Sequence, residues 1–215
     1  EYPRVCFDER PCQLLGDTVV PIPMKPGKSY RYDYHYERKG VCCLFLAIEP
    51  LTGFRFVQVR DRRTKVDYAE FMKAFVELPR YRNVKGFTLV QDNLNTHNAG
   101  SFYQAFAPET ARQLKQKFEY HYTPTNGSWL NMAELELSAI ARQCLDRRIA
   151  TPEVLEQEIQ ACVKERNAQE MTITWQFTTA DARDTLKRHY EAVRNGAITP
   201  QEGGAENDAL TCSQL

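Results

Sequence analysis

No run of about eighteen apolar residues occurs in this chain, and no charged-then-apolar leader opens it, so it reads as neither a membrane span nor a secreted precursor. Paired cysteine motifs are missing too. The seven cysteines, Cys6, Cys12, Cys42, Cys43, Cys144, Cys162 and Cys212, form no Cys-x-x-Cys pair and none of the Cys/His spacings of a zinc site. An odd, unpatterned set fits a reduced cytosolic protein. Cys6, Cys42 and Cys43 lie in apolar runs, where a thiol behaves as a small core residue. Net charge is also absent, with 28 basic residues against 28 acidic, which speaks against a protein that grips a polyanion by charge alone. The balance is uneven along the chain. From residue 191 onward Glu191, Glu202, Glu206 and Asp208 face a single base, Arg194, leaving residues 1–190 net basic. That glycine-bearing, apolar-poor end, 191–215, has the composition of a disordered tail.

The chain has 215 residues, 42% of them hydrophobic and 11% aromatic, which suffices for one sizeable core over 1–190. It opens on Glu1 rather than Met and reads as a piece of something longer. Short β-rich runs fall at about 3–7, 41–48 and 54–59, with Pro50-Leu-Thr-Gly53 as a turn between the last two. A helix fits 65–78, stopped by Pro79, and a strand fits 86–91. Helical stretches follow at 98–117, broken at Pro108, then a strand near 118–122 and helices at 130–146, 151–169 and 179–190. Thr151-Pro152-Glu153 offers an N-cap with proline at the first helical position, and Thr179 with Asp181 does similar work. This order predicts an α/β fold, a mixed sheet covered by helices on both sides.

Two stretches concentrate the chemistry. Residues 89–97, Leu-Val-Gln-Asp-Asn-Leu-Asn-Thr-His, place Asp92 just past a buried strand. Residues 122–134, Tyr-Thr-Pro-Thr-Asn-Gly-Ser-Trp-Leu-Asn-Met-Ala-Glu, place Glu134 near the start of an apolar-periodic helix. A third acid, Asp8, ends the apolar run Val5-Cys-Phe7. Carboxylates on two strand ends and one helix suit a hard divalent cation, which takes oxygen ligands from a few acids and a substrate phosphate.

Taken in order, Cys-Phe-Asp8-Glu9, Val-Gln-Asp92-Asn-Leu-Asn-Thr-His97 and Trp129-Leu-Asn-Met-Ala-Glu134 resemble the catalytic domain of a DDE transposase. The resemblance is greatest to the bacterial insertion sequence 630 type within the Tc/mariner superfamily, and it covers about Arg4 to Tyr190. It implies an RNase H-like fold in which the strands of Asp8 and Asp92 lie side by side. It further implies two Mg2+ or Mn2+ ions held by Asp8, Asp92 and Glu134 for cleavage and strand transfer of DNA phosphodiesters. The partners so implied are transposon-end and target DNA and a second copy of the chain in a synaptic homodimer, at a cytoplasmic, nucleoid-associated location in a bacterium. Such a transposase normally carries an N-terminal helix-turn-helix region for the terminal repeats. Residues 1–215 supply none, so specific end binding is not expected of them. The stretch from Asp92 to Glu134 is longer than in many members, and Pro108 to Lys117 fits an added helical segment.

The neighbouring residues leave alternatives open. Glu9 should point away from Asp8, because successive strand side chains alternate. Glu136 lies about 200° around the helix from Glu134 and should face elsewhere as a solvent or ion-pair residue. Asn93, Asn95 and His97 either orient water and phosphate or serve the chain locally, the asparagines in a turn and His97 as a helix cap. Trp129 either stacks on DNA or, the better reading, anchors its loop. Asn131 reads as the N-cap of the helix that carries Glu134. Arg142 lies two turns beyond Glu134 and suits a DNA phosphate, whereas Lys115, Lys117 and Arg148 fit a solvated face as well. In the irregular stretch 11–40, Tyr30, Tyr32, Tyr34 and Tyr36 alternate with polar residues; they fit either a strand packed on its own domain or, with Lys25, a contact with DNA or a second subunit. Two other functions stay open: an RNase H-like nuclease, and an inactive or domesticated DNA-binding remnant.

Overall fold

The computed structural model describes residues 2–124, 127–187 and 191. The chain divides into two compact units, Glu1–Ile173 and Thr174–Leu215. The first is built on five strands, β1 (Arg4–Asp17), β2 (Tyr36–Glu49), β3 (Phe54–Arg60), β4 (Phe87–Gln91) and β5 (Phe118–Tyr122). They form one mixed sheet in the order β3-β2-β1-β4-β5. The β1-β2-β3 meander is antiparallel, whereas β4 and β5 run parallel to β1. Helices α1 (Lys65–Val76), α2 (Gly100–Ala105) and α3 (Pro108–Gln116) cover one face, and α4 (Met132–Cys144) and α5 (Pro152–Ala168) the other. This is the expected α/β arrangement. In the second unit, α6 (Thr179–Thr185) is started by a capping box in which Thr178, one residue before the expected cap, pairs with Asp181. The end expected for it at 190 and the tail expected over 191–215 lie, apart from residue 191, outside the described residues.

Alternation on β1 explains the two layers. Val5 and Phe7 turn toward α1 and join Phe45, Tyr68, Phe71 and Phe87 in an aromatic core. Ring contacts of 5.3 Å from Phe7 to both Tyr68 and Phe71 hold α1 on the sheet. Cys6 and Asp8 turn toward α4. The breaks are local chemistry. Thr64 caps α1 in a capping box with Asp67, and Pro108 stands at the first turn of α3, where its missing N–H costs nothing. Gly53 closes the β2–β3 turn at φ +73°, and a Cβ there would lie 2.7 Å from the Glu170 carbonyl carbon, so the position needs glycine twice over.

Two strands are longer than the sequence pattern predicts. β1 continues past Asp8 to Asp17, and β2 begins at Tyr36 rather than 41. Beyond Glu9 the two strands pair with each other as a ribbon, with a register break at Leu14/Leu15, and most of their side chains are exposed. Hydrophobic alternation fades because the ribbon is covered only in part, at Leu14 and Gly16 of β1, while Tyr36–Val41 of β2 is exposed throughout. Tyr30, Tyr32 and Tyr34 do not form a packed strand. Isolated bridges Ile22↔Arg31 and Lys25↔Lys28 shape the tip, and the tyrosines stand exposed, Tyr34 at 78%.

Candidate active site

Asp8 and Asp92 come from adjacent parallel strands. Pairing runs Arg4↔Thr88, Val5↔Leu89 and Cys6↔Val90, so continuing the register sets Asp8 beside Asp92, just where β4 ends. Asp8 therefore does not end its strand, as the apolar run suggested; it lies mid-strand at the point where the parallel neighbour stops. Ligands of open α/β sheets gather at such carboxyl ends. Asp8 is 7% exposed. Its Oδ1 accepts the Glu9 N–H at 2.8 Å. Burial, followed by the charge of Glu134, pushes its carboxyl up to about 7.

Asn131 ties Glu134 to this strand. Its Oδ1 accepts the Ala133 N–H at 3.2 Å, which makes it the N-cap of α4 as expected. Its Nδ2 donates to Phe7 O at 2.7 Å and lies 3.4 Å from Asp8 Oδ2. One buried amide thus caps the helix and pins its first turn to β1. Glu134 sits in that turn, exposed. Glu136 faces the other way, as the helical angle requires, but it is buried. Its carboxylate receives Arg55 Nε and Nη2 at 2.6 and 2.9 Å and Arg166 Nε and Nη2 at 2.6 and 3.0 Å.

His97 has a role the sequence reading did not reach. It does not cap α2; Asn98 Oδ1 instead accepts the Gly100 N–H at 2.9 Å. The ring is 1% exposed, with Nδ1 on Asp92 Oδ1 and Nε2 2.6 Å from Glu9 Oε2. Burial opposes a charge on the ring, but the carboxylates at its two nitrogens, Asp92 and then Glu9, prevail and raise it to about 9. For Asp92, burial likewise works upward and is outweighed by His97, which holds the carboxyl below its ordinary range. Gln91 fixes the loop, accepting from Tyr68 Oη at 2.9 Å and donating to His97 O at 2.7 Å. Tyr68 meets Gln91 only once α1 has packed on the sheet, whereas Gln91 and His97 are six residues apart in one segment.

The remaining candidates lie further out. Asn93 and Asn95 are exposed, and Asn95 O accepts from Asn98 within the turn. Trp129 is 39% exposed in a 3-10 turn, Ser128–Leu130, and so is not fully buried. Arg142 is exposed on the last turn of α4. Two bases read as a solvated face are structural: Lys117 Nζ donates to Val84 O, and Arg148 reaches Asp17 at 2.7 Å. Arg63 was missed. It approaches Glu9 Oε1 at 3.8 Å, stays 58% exposed and lowers Asp92 by its charge.

Among the described residues, no three acidic, His or Cys side chains converge tightly enough to hold a metal ion. The donor chemistry nevertheless suits a hard divalent cation. The charge of Glu134 raises the cost of ionising Asp8, a repulsion that a cation between carboxylates relieves. Both hydrogen bonds that Asp92 accepts go to Oδ1, which leaves Oδ2 to face a ligand.

A mixed sheet that brings acids to one carboxyl end defines a domain of the RNase H-like class. The chain belongs to the DDE superfamily endonucleases, whose family model matches residues 3–156, a span containing Asp8, Asp92 and Glu134. No curated protein matches it significantly in sequence. Among solved structures it is similar to a chain of the Mos1 mariner paired end complex with Mn, at 15% identity and TM-score 0.52, over 79% of this chain and 51% of that one. A Mos1 transposase paired-end complex with left transposon end is similar at 14% identity and TM-score 0.52, with the same coverage. These likenesses show the fold. The chain spans about half the length of the chains it matches.

Proposed function

We propose that this chain is the catalytic domain of a transposase of the insertion sequence 630 type, with Asp8, Asp92 and Glu134 as the ligands of two Mg2+ or Mn2+ ions. The observation that carries the reading is the β1–β4 register, which sets two acids side by side within electrostatic range of a third on α4. Bound divalent ions would activate a water or DNA 3′-hydroxyl and neutralise the leaving oxygen of an in-line displacement. The chain's own groups do the rest. His97 turns Asp92, Asn131 sets the α4 turn that carries Glu134, and Arg63 with Arg142 offers guanidinium groups to the DNA backbone. The exposed ribbon tip, with Lys25 and the tyrosines, is the surface that would meet a second subunit in a paired complex.

Supercoiled plasmid is the substrate for the direct test. With Mg2+ or Mn2+ the chain should nick it, EDTA should stop the reaction, and Asp92→Asn and Glu134→Gln should each abolish it. Nicking that survives both substitutions would refute the assignment of these ligands. Joining of a pre-cleaved oligonucleotide end into plasmid then separates a transposase from a plain nuclease, which would nick without joining.

A further inference from the structure

Strand alternation turns Glu9 away from Asp8 and into the aromatic layer beside Phe7. Its side chain is 3% exposed. A carboxylate in such a place is costly unless paired. Its partners are the His97 ring, with Nε2 2.6 Å from Oε2, and the exposed guanidinium of Arg63 at 3.8 Å from Oε1. Oε2 has no hydrogen bond of regular geometry, so its hold on the ring is an ion contact. The ring is fixed on its flanks by Phe7, edge-on at 5.1 Å, and by Tyr68 at 5.2 Å. Its backbone is fixed as well, with N–H donating to Leu94 O at 2.8 Å and its carbonyl accepting from Gln91 at 2.7 Å. Asp92, at the far end, sits beyond β4 on a loop, and its other hydrogen bond, from the Leu94 N–H, is 3.4 Å long.

We infer that Glu9 is a positioning residue, a fourth acid of the site that never meets a ligand itself. Through the clamped His97 ring it sets the rotamer of Asp92, engaging Oδ1 and presenting Oδ2 to the cation. The inference rests on reading Asp92 as a metal ligand. Packing alone does not explain the acid, because an apolar side chain of similar length would fill this face with no carboxylate to desolvate; what the carboxylate adds is its hold on the His97 ring. Groups that orient a metal's ligands typically govern affinity by 10- to 100-fold.

The test uses the full chain as Glu9→Gln, Glu9→Met and Asp92→Asn, with Mn2+ binding followed by loss of the free-ion electron paramagnetic resonance signal. Both Glu9 variants should bind Mn2+ about 10- to 100-fold more weakly. Their half-saturating Mn2+ for plasmid nicking should rise by a similar factor, with the rate recovering at saturating metal. A loss of packing alone would lower the active fraction without moving that midpoint. Glu9→Met covers the case in which Glu9→Gln fails to fold, since its side chain suits the apolar face. Parental Mn2+ affinity and midpoint in a folded Glu9 variant would overturn the inference, provided Asp92→Asn still loses binding. Parental binding by Asp92→Asn would instead overturn the ligand assignment itself.

Discussion

Glu136 joins three elements at one point. Arg55 of β3 and Arg166 of α5 both close on its carboxylate from α4, and Arg55 also donates to the carbonyls of Gly53 and Met171. Removing the acid strands two guanidinium groups, one of them fully buried, without a counter-charge. Breaking a buried pair in this way costs about 3–5 kcal/mol. Glu136→Gln should lower the unfolding free energy by that order, read from urea melts. The acid limb carries a second signature. Burial works to raise the Glu136 carboxyl, but the two arginines outweigh it and hold it below its ordinary value of 4.5. A depressed acid contributes stability that is present above the unfolded value and lost as pH falls through the folded one. The parent should therefore lose more stability between about pH 5 and 3 than Glu136→Gln does. The helical angle made the orientation of Glu136 legible in the sequence. Its partners were not, since Arg55 and Arg166 reach it only after β3, α4 and α5 have packed. His97 illustrates the same limit: its identity was visible in the motif, but its link to Glu9 spans the β1–β4 contact.

Single elements were the most legible level where a period or a stop residue marked them. α1, α5, the Pro108 break and the turn at Gly53 follow from capping groups, prolines and glycine. β1 and β2 were read short because their outer halves lie in a ribbon whose exposed faces carry no alternation. For the site, the decisive element is α4, whose start is set by Asn131 alone. Asn131→Ala removes both the cap and the bond to Phe7 O, at about 1–2 kcal/mol for a lost cap. Asn131→Ser keeps a cap oxygen but cannot donate across to β1. The serine variant should therefore recover most of the stability lost by alanine in thermal melts, while plasmid nicking stays impaired in both. Equal recovery of stability and nicking by serine would show that capping alone, without the bridge to Asp8's strand, places Glu134.

At the scale of the whole molecule, the ribbon is what the core does not explain. Val20 at 87%, Met24 at 74% and Ile22 at 61% stand in water with the tyrosines, an apolar set of the kind that marks an interaction surface. The base of the ribbon is nonetheless held. Arg148 donates to Asp17 at 2.7 Å, to His35 O at 3.0 Å and to Tyr34 O at 3.1 Å, and its guanidinium lies 4.9 Å from the Tyr32 ring centre. A pinned base with an uncovered apolar tip suits a second copy of the chain, because it presents a rigid surface at little ordering cost. Deleting residues 21–29 removes Ile22, Met24 and Lys25 without touching the aromatic core or the three acids. The parent should sediment as a dimer at high protein concentration and the deletion variant as a monomer with unchanged melting temperature. Parent and variant that are both monomeric would remove the tip from any role in pairing subunits. A dimer that survives the deletion would move the interface elsewhere on the chain.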